Sequence, residues 1–172
     1  MTCLEATVVL ALTQQHISEM SAHAEQVYPE ECCGLMLGEL DSVSASKRLV
    51  ELVPVVNHWS SEDVSAEYAG IDLTKNRRYT IDPRDMLRSQ KAAREKGLNI
   101  IGVYHSHPDH VAEPSECDRA QAWPEYAYTI LSVQQGKTAD VRNWSLDSDH
   151  QFQPEAIEVS PSAATDRMPK LA

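Results

Sequence analysis

Two histidines separated by a single residue follow an apolar run past the middle of the chain. His105 and His107 lie within residues 102–108 (GVYHSHP), which continue the β-branched and aromatic run that starts at Ile100. Side chains two apart on a strand share a face, so the two imidazoles are expected on one side of a sheet, with α-carbons roughly 6 to 7 Å apart. Two imidazoles at that spacing can bind one metal ion at about 2.0 to 2.1 Å each. Pro108 cannot donate to a sheet ladder, so the strand is expected to end there.

A carboxylate follows the histidines within reach of the same point. Asp118 closes the tetrapeptide Ser115-Glu116-Cys117-Asp118 and is the candidate third ligand. Two neutral nitrogens and one carboxylate leave a tetrahedral ion one open position, which is typical of catalytic rather than structural zinc. Each part also has a structural explanation. A histidine pair on a strand can be hydrogen-bonded structure, and Ser115 with Asp118 fits a helix N-cap. Both explanations can hold together, because capping would fix the carboxylate that binds the metal.

The combination resembles the signature of the JAMM (JAB1/MPN/Mov34) metalloprotease family. That signature is His-Ser/Thr-His-Pro followed by Ser-x-x-Asp, and residues 105–118 match it. The family also requires an upstream glutamate, and residues 29–38 (PEECCGLMLG) resemble the segment that carries it in the bacterial branch. The resemblance places this glutamate at Glu31, with Glu30 as the competing assignment. Matching features span about residues 6–147.

The resemblance implies a zinc-dependent hydrolase of amide bonds. One zinc ion held by His105, His107 and Asp118 would lower the pKa of a water molecule toward about 7. Glu31 would act as the general base, taking a proton from that water and returning it to the leaving amine. Ser115 would donate a hydrogen bond to the developing oxyanion. Hydrolysis would then proceed without an acyl-enzyme.

The resemblance also implies a class of substrate. JAMM proteins of known activity cut peptide or isopeptide bonds that follow the Gly-Gly end of ubiquitin or ubiquitin-like proteins. Bacterial members that resemble this chain act on small ubiquitin-fold sulfur carriers, either trimming residues beyond Gly-Gly or releasing a cysteine made on the carrier. The expected partner is therefore a small carrier ending in Gly-Gly, with its tail along a sheet edge.

Two alternative functions depend on the same residues. Non-catalytic MPN-like scaffolds lack some of the metal ligands, whereas the key positions are all occupied here, by Glu31, His105, His107 and Asp118. A zinc deaminase on a related α/β sheet requires His-x-Glu together with Pro-Cys-x-x-Cys, and this combination is absent. The sequence therefore favours a hydrolase, with a scaffold or binding module as the alternative.

Composition limits the partners and the compartment. The chain has 172 residues, with 26 acidic against 15 basic residues and a net charge of −11. Such a balance argues against a surface for nucleic acid or anionic membranes. Four cysteines show no CxxC pair or disulfide-type spacing, so reduced thiols and a cytoplasmic location are expected. No stretch approaches the ~20 apolar residues of a membrane span.

The elements that must position the site follow from periodicity and turn residues. Besides the strand before Pro108, strands are predicted at 6–11, 33–37, 48–56, 127–133 and 139–146, with an edge strand at 152–159. Helices are predicted after the N-cap Thr13, from Asp82-Pro83 to about residue 96, and after Ser115.

These elements add up to one α/β domain over residues 1–159. Its predicted fold is a mixed β-sheet flanked by helices. The family resemblance implies that this is the JAMM/MPN fold, which is cytidine-deaminase-like. A loose tail is expected over residues 160–172. A polar loop over residues 58–76 is long for a compact domain. It is expected to be either a lid or binding segment, or a surface insertion.

Overall fold

The computed structural model describes residues 8–60 and 74–161. Its elements run in the order β1 (Val9–Thr13), α1 (Gln14–Val27), β2 (Cys33–Leu40), β3 (Lys47–Val55), α2 (Pro83–Glu95), β4 (Asn99–Pro108), α3 (Glu116–Gln121), β5 (Ala127–Gln134), β6 (Lys137–Leu146) and β7 (Phe152–Ser160). Most of the loop predicted at 58–76 lies outside the described residues, as does the tail beyond residue 161. The single-domain boundary at residue 159 stays a prediction.

The strands form a closed barrel in the order β1-β3-β2-β4-β5-β6-β7, and β7 pairs back onto β1. Pairing is mixed: β1 is parallel to β3 and β7, and β4 is parallel to β5, whereas the other neighbours are antiparallel. The prediction of a mixed sheet with helices is confirmed, but the sheet is closed rather than open. The prediction that β7 is an edge strand is wrong, since β7 pairs with β6 on one side and β1 on the other. The side-chain pattern of a strand does not reveal how many neighbours it has.

The helix boundaries agree with the residues that predicted them. Thr13 caps α1 by accepting a hydrogen bond from the backbone of His16 at 3.2 Å. Asp82 caps α2, whose first residue is Pro83, and Gly97 follows the helix with a φ of +71°. Such caps satisfy backbone groups that a helix end would otherwise leave unpaired. In the described ranges, no helix is long and apolar enough to cross a bilayer.

Strand β4 is largely buried and leads directly to the candidate site. It lies between β2 and β5, and its last eight residues are buried. Gly34 on β2 faces Tyr104 on β4, and a Cβ at Gly34 would lie 2.2 Å from the tyrosine ring. This close approach requires glycine and keeps the start of β2 against the end of β4.

A buried polar network joins the strands on either side of β1. Among the described residues, two pairs connect β1 to β3 in the sheet. Beside them, Lys47 Nζ on β3 lies 3.3 Å from Glu155 Oε1 on β7. Asn143 Nδ2 donates to Glu155 Oε2 at 2.7 Å, and Thr129 Oγ1 donates to Asn143 Oδ1 at 3.0 Å. The network therefore links β3, β7, β6 and β5 where the barrel closes.

Replacing Lys47 with Met should destabilise the fold, because it leaves the Glu155 carboxylate buried without its cation. The expected loss in free energy of unfolding is about 3–5 kcal/mol, measured by urea denaturation. The double variant Lys47→Met/Glu155→Gln removes both charges and keeps an acceptor for Asn143, so it should recover most of the loss. A double variant as unstable as the single one would contradict this account.

Candidate metal centre

Three side chains from two separate segments converge at the carboxyl end of β4. The Nε2 atoms of His105 and His107 are 3.1 Å apart. Asp118, in the first turn of α3, places Oδ1 3.3 Å from His105 Nε2 and Oδ2 3.5 Å from His107 Nε2. Donors around a tetrahedral ion with bonds of 2.0–2.1 Å are about 3.3 Å apart. The three buried side chains therefore form a group that fits one small divalent cation; their assignment as zinc ligands stays a prediction.

The two histidine rings are oriented by different means. His107 Nδ1 lies 2.9 Å from the carbonyl of Val111, so a proton on Nδ1 leaves Nε2 as the free electron pair. His105 Nδ1 is buried and has no hydrogen-bond partner among the described residues. Instead, the His105 ring stacks on Tyr79, with centroids 4.5 Å apart and an interplanar angle of 28°. Tyr79 therefore holds the His105 ring by stacking where a hydrogen bond is missing.

Asn57 connects the segment of Tyr79 to the segment of Glu31. Its Nδ2 donates to the carbonyls of Glu31 and Arg78 at 3.1 and 2.9 Å, and its Oδ1 accepts from the backbone of Thr80 at 3.2 Å. The carboxamide is buried, so these bonds are protected from water. The sequence gives no signal for Asn57 or Tyr79, because an asparagine after a strand and an aromatic residue in an extended piece are both ordinary.

Glu31 and Glu30 occupy different environments. Glu30 is exposed, whereas Glu31 is 4% exposed. Glu31 lines a cavity of about 10 Å³ together with Tyr79 and Asp118, which is room for about one water molecule. Burial raises the pKa of Glu31 to about 8, with the positive charge of His107 opposing and the negative charge of Asp118 adding to the shift. Of the two glutamates, Glu31 is thus the one placed beside the donor group.

The middle residue of the His-Ser-His triplet fixes the approach of Glu31. Ser106 lies on the opposite face from the imidazoles, as the strand period predicts. Its Oγ accepts from the backbone of Cys32 at 2.9 Å, and its N–H donates to the Cys32 carbonyl at 3.2 Å. Cys33 pairs with His105 in the β2–β4 ladder. Together these bonds fix the chain on both sides of Cys32 and so hold Glu31 beside the end of β4.

Ser115 and Asp118 form the helix cap that their spacing predicts. Ser115 Oγ accepts from the backbone of Asp118 at 3.2 Å. In return, the N–H and the hydroxyl of Ser115 donate to Asp118 Oδ2 at 2.6 and 2.7 Å. The cap therefore orients the carboxylate toward the imidazoles. The hydroxyl proton of Ser115 is directed at Asp118 here, and its donation to an oxyanion stays a prediction.

The electrostatics of Asp118 and His105 favour metal-binding protonation states, whereas the raised pKa of His107 favours its protonated form. Burial alone would raise the pKa of Asp118, but the charges of the two histidines and their hydrogen bonds outweigh burial and hold this pKa well below its usual range. Burial lowers the pKa of His105, although Asp118 opposes the shift. The pKa of His107 is raised despite burial, mainly by its hydrogen bond to Asp118 and the charge of Glu31. Asp118 is thus an anion and His105 is neutral near pH 7, as metal ligation requires.

Comparison with known families identifies the fold that carries this site. Residues 13–147 match the family described as prokaryotic homologs of the JAB domain. The chain belongs to this family. The matched range contains Glu31, both histidines and Asp118, so the resemblance to the bacterial JAMM branch is confirmed at the level of the whole domain.

Relatives of this JAB domain include proteins named for peptidase activity. It is 31% identical over 120 residues to Desampylase of Haloferax volcanii, covering 69% of this chain and 73% of that protein. It is 28% identical over 126 residues to the Probable TtuB-protein conjugate cleaving protease of Thermus thermophilus, covering 73% of this chain and 72% of that protein. It is 23% identical over 139 residues to the CysO-cysteine peptidase of Mycobacterium tuberculosis, covering 80% of this chain and 83% of that protein.

Replacing Tyr79 with Leu should weaken metal binding, because the stack on His105 is lost. We expect zinc affinity to fall about tenfold or more, as for other residues that orient a metal-bound histidine, while Tyr79→Phe keeps the ring and the affinity. Competition with a chelating dye measures the affinity, and the visible spectrum of the cobalt form reports the ligand geometry. Equal affinities for the Leu and Phe variants would show that stacking does not orient His105.

The pKa of Glu31 predicts a pH-dependent stability of the metal-free protein. A folded pKa of about 8, above the ordinary 4.5, means that Glu31 favours folding fully below pH 4.5 and progressively less up to about pH 8. Glu31→Gln should therefore gain stability over wild type across this window, by a few kcal/mol at about pH 9, since each pKa unit is about 1.4 kcal/mol.

Urea denaturation in a metal chelator, repeated across pH, measures this difference. Glu30→Gln, an exposed neighbour of the same chemistry, is the matched control and should follow wild type at every pH. A difference between Glu31→Gln and wild type that does not change with pH would be inconsistent with a buried, proton-binding Glu31.

Proposed function

We propose that this JAB domain is a zinc-dependent peptidase that hydrolyses the amide bond after the Gly-Gly end of a small ubiquitin-like or sulfur-carrier protein. The observation that carries the proposal is the group of His105, His107 and Asp118, with donor atoms 3.1 to 3.5 Å apart and Glu31 in the adjoining cavity. A closed structural zinc site would use four protein ligands, whereas three ligands leave room for water or substrate.

In the proposed reaction, zinc at these ligands supplies the Lewis acidity that makes a water molecule nucleophilic near neutral pH. Glu31 takes the proton from the attacking water and passes it to the leaving nitrogen. Burial raises the pKa of Glu31 to about 8 in the absence of metal. The charge of a cation at the donor group would lower this pKa, so that Glu31 is ionised near pH 7 and can take the proton. The position of Glu31 outside the donor group leaves its oxygens available for proton transfer.

We assign Ser115 as donor to the oxyanion that develops on the scissile carbonyl. Its Oγ lies 2.7 Å from Asp118 Oδ2, at the edge of the donor group. Rotation about the Cβ–Oγ bond would redirect the hydroxyl proton from Asp118 to the substrate. Asp118 would keep the backbone N–H of Ser115, 2.6 Å from Oδ2, so the carboxylate would stay oriented during this change.

The substrate class is supported by the relatives. Their names describe cleavage of a TtuB-protein conjugate and of CysO-cysteine, and by likeness we assign a ubiquitin-like or sulfur-carrier protein to this chain. A Gly-Gly tail would suit a narrow approach to the site, because glycine has no side chain that could clash with the walls. Selectivity would then come from the folded body of the carrier.

The proposal is tested on purified protein loaded with zinc and incubated with ubiquitin-fold carriers extended beyond Gly-Gly. Glu31→Gln should bind zinc normally yet lose hydrolysis by about a hundredfold or more, since it removes the general base. His107→Ala should lose both zinc and hydrolysis, and Glu30→Gln should keep both. Elemental analysis measures zinc, and mass spectrometry of the carriers measures cleavage. A zinc-free, inactive wild-type protein would support a non-catalytic scaffold instead.

A further inference from the structure

Two consecutive arginines lie at the mouth of the Glu31 cavity. Arg77 and Arg78 line this cavity together with Glu31 and Asp118. Burial raises the pKa of Glu31, and the positive charges of both arginines act to lower it. Both guanidinium groups are therefore close enough to influence the carboxylate electrostatically. The cavity thus has an acidic interior and a cationic entrance.

Among the arginines in the described ranges, Arg77, Arg78 and Arg94 have no carboxylate within ion-pair distance, and Arg77 and Arg78 are the ones that line the Glu31 cavity. Ion pairs with neighbouring carboxylates engage Arg48, Arg84, Arg88, Arg119 and Arg142. Within residues 8–60 and 74–161, no carboxylate lies within ion-pair distance of Arg77 or Arg78. In a chain with a net charge of −11, two such arginines beside the site stand out. Within the described part of the chain, their charge is therefore open to a ligand carboxylate.

The arginines are also held in place. The Arg78 carbonyl accepts from Asn57 Nδ2 at 2.9 Å, and Arg78 Nη1 donates to the Arg77 carbonyl at 2.7 Å. Arg77 Nη1 contacts His110 Nε2 in the loop after β4, and the His110 carbonyl accepts from Ser132 at 2.6 Å. The cations are therefore anchored to both sides of the site, which reduces the entropy lost on binding a ligand.

The chemistry of the leaving group indicates which carboxylate they would meet. In a single amino acid attached beyond Gly-Gly, the free α-carboxylate is two bonds from the nitrogen that leaves. Glu31, as proposed above, returns a proton to that nitrogen, so the carboxylate must lie close to Glu31. In an isopeptide, the leaving nitrogen is a lysine ε-amine with no free carboxylate nearby. A guanidinium matches a carboxylate in both charge and shape.

We propose that Arg77 and Arg78 form a subsite for the free α-carboxylate of the leaving amino acid. The preferred substrate is then a carrier extended by one amino acid beyond Gly-Gly, rather than an isopeptide conjugate. The proposal rests on the function proposed above and adds to it the bond that is cut and the residues that select it.

The binding test uses two peptides that differ only in terminal charge. Acetylated Gly-Gly-Ala with a free carboxylate and its carboxamide are titrated by NMR into the zinc-loaded Glu31→Gln protein, which binds without cleaving. The acid should bind about tenfold more tightly than the amide. Adding Arg77→Gln and Arg78→Gln should remove the difference. Adding Arg94→Gln instead should preserve it, because Arg94 is an exposed arginine near the other end of α2, about 15 to 18 Å from its start.

The kinetic test uses a cleavable carrier bearing one alanine beyond Gly-Gly, as the acid or the amide. The double arginine variant should raise KM for the acid about tenfold and leave the amide unchanged. Hydrolysis of both forms with equal kcat/KM would overturn the subsite and leave the proposed function standing. Preferential binding of the acid without hydrolysis of any carrier would support the subsite and overturn the proposed function. Equal or undetectable binding of both peptides would also overturn the subsite.

Discussion

The site depends on keeping two carboxylates and two imidazoles buried close together inside the protein. Burying an ionised carboxylate is expensive unless hydrogen bonds or an opposite charge compensate for the lost water. Asp118 is compensated by the cap of Ser115 and by the two histidines. Glu31 is not compensated to the same degree, which is why burial raises its pKa to about 8. A divalent cation held by His105, His107 and Asp118 would add positive charge that stabilises both carboxylates.

The fold holds these four side chains close together mainly through backbone hydrogen bonds rather than through side-chain packing. Strand β4 is held between β2 and β5, so the histidines cannot move apart without breaking a ladder. Ser106 joins β4 to Cys32 and thereby brings Glu31 alongside. The cap of α3 fixes the third donor. Residues with no part in the chemistry, such as Ser106, are therefore needed as much as the ligands.

Local rules predicted the parts of the site that lie within one element. The strand period placed the two histidines on one face, and the capping pattern placed Asp118 in the first turn of a helix. Glu31 could be found only through the family resemblance, because two adjacent glutamates before a strand carry no local signal of burial. The roles of Asn57 and Tyr79 could not be predicted from the sequence, since they depend on contacts with segments far along the chain. The closure of the barrel by β7 could not be predicted for the same reason, because strand pairing depends on residues far apart in the chain.

The segment that precedes α2 contacts several parts of the site. The backbone of Glu31 donates to the Lys75 carbonyl at 2.8 Å, Tyr79 stacks on His105, and Arg77 contacts His110. Asn57 fastens the same segment to the end of β3. A displacement of this segment would thus shift the orientation of a ligand ring, the backbone of the candidate base and the charge at the entrance together. A substrate that displaced this segment would therefore also change the geometry of the donor group, although Asn57 and Tyr79 bear no reactive group themselves.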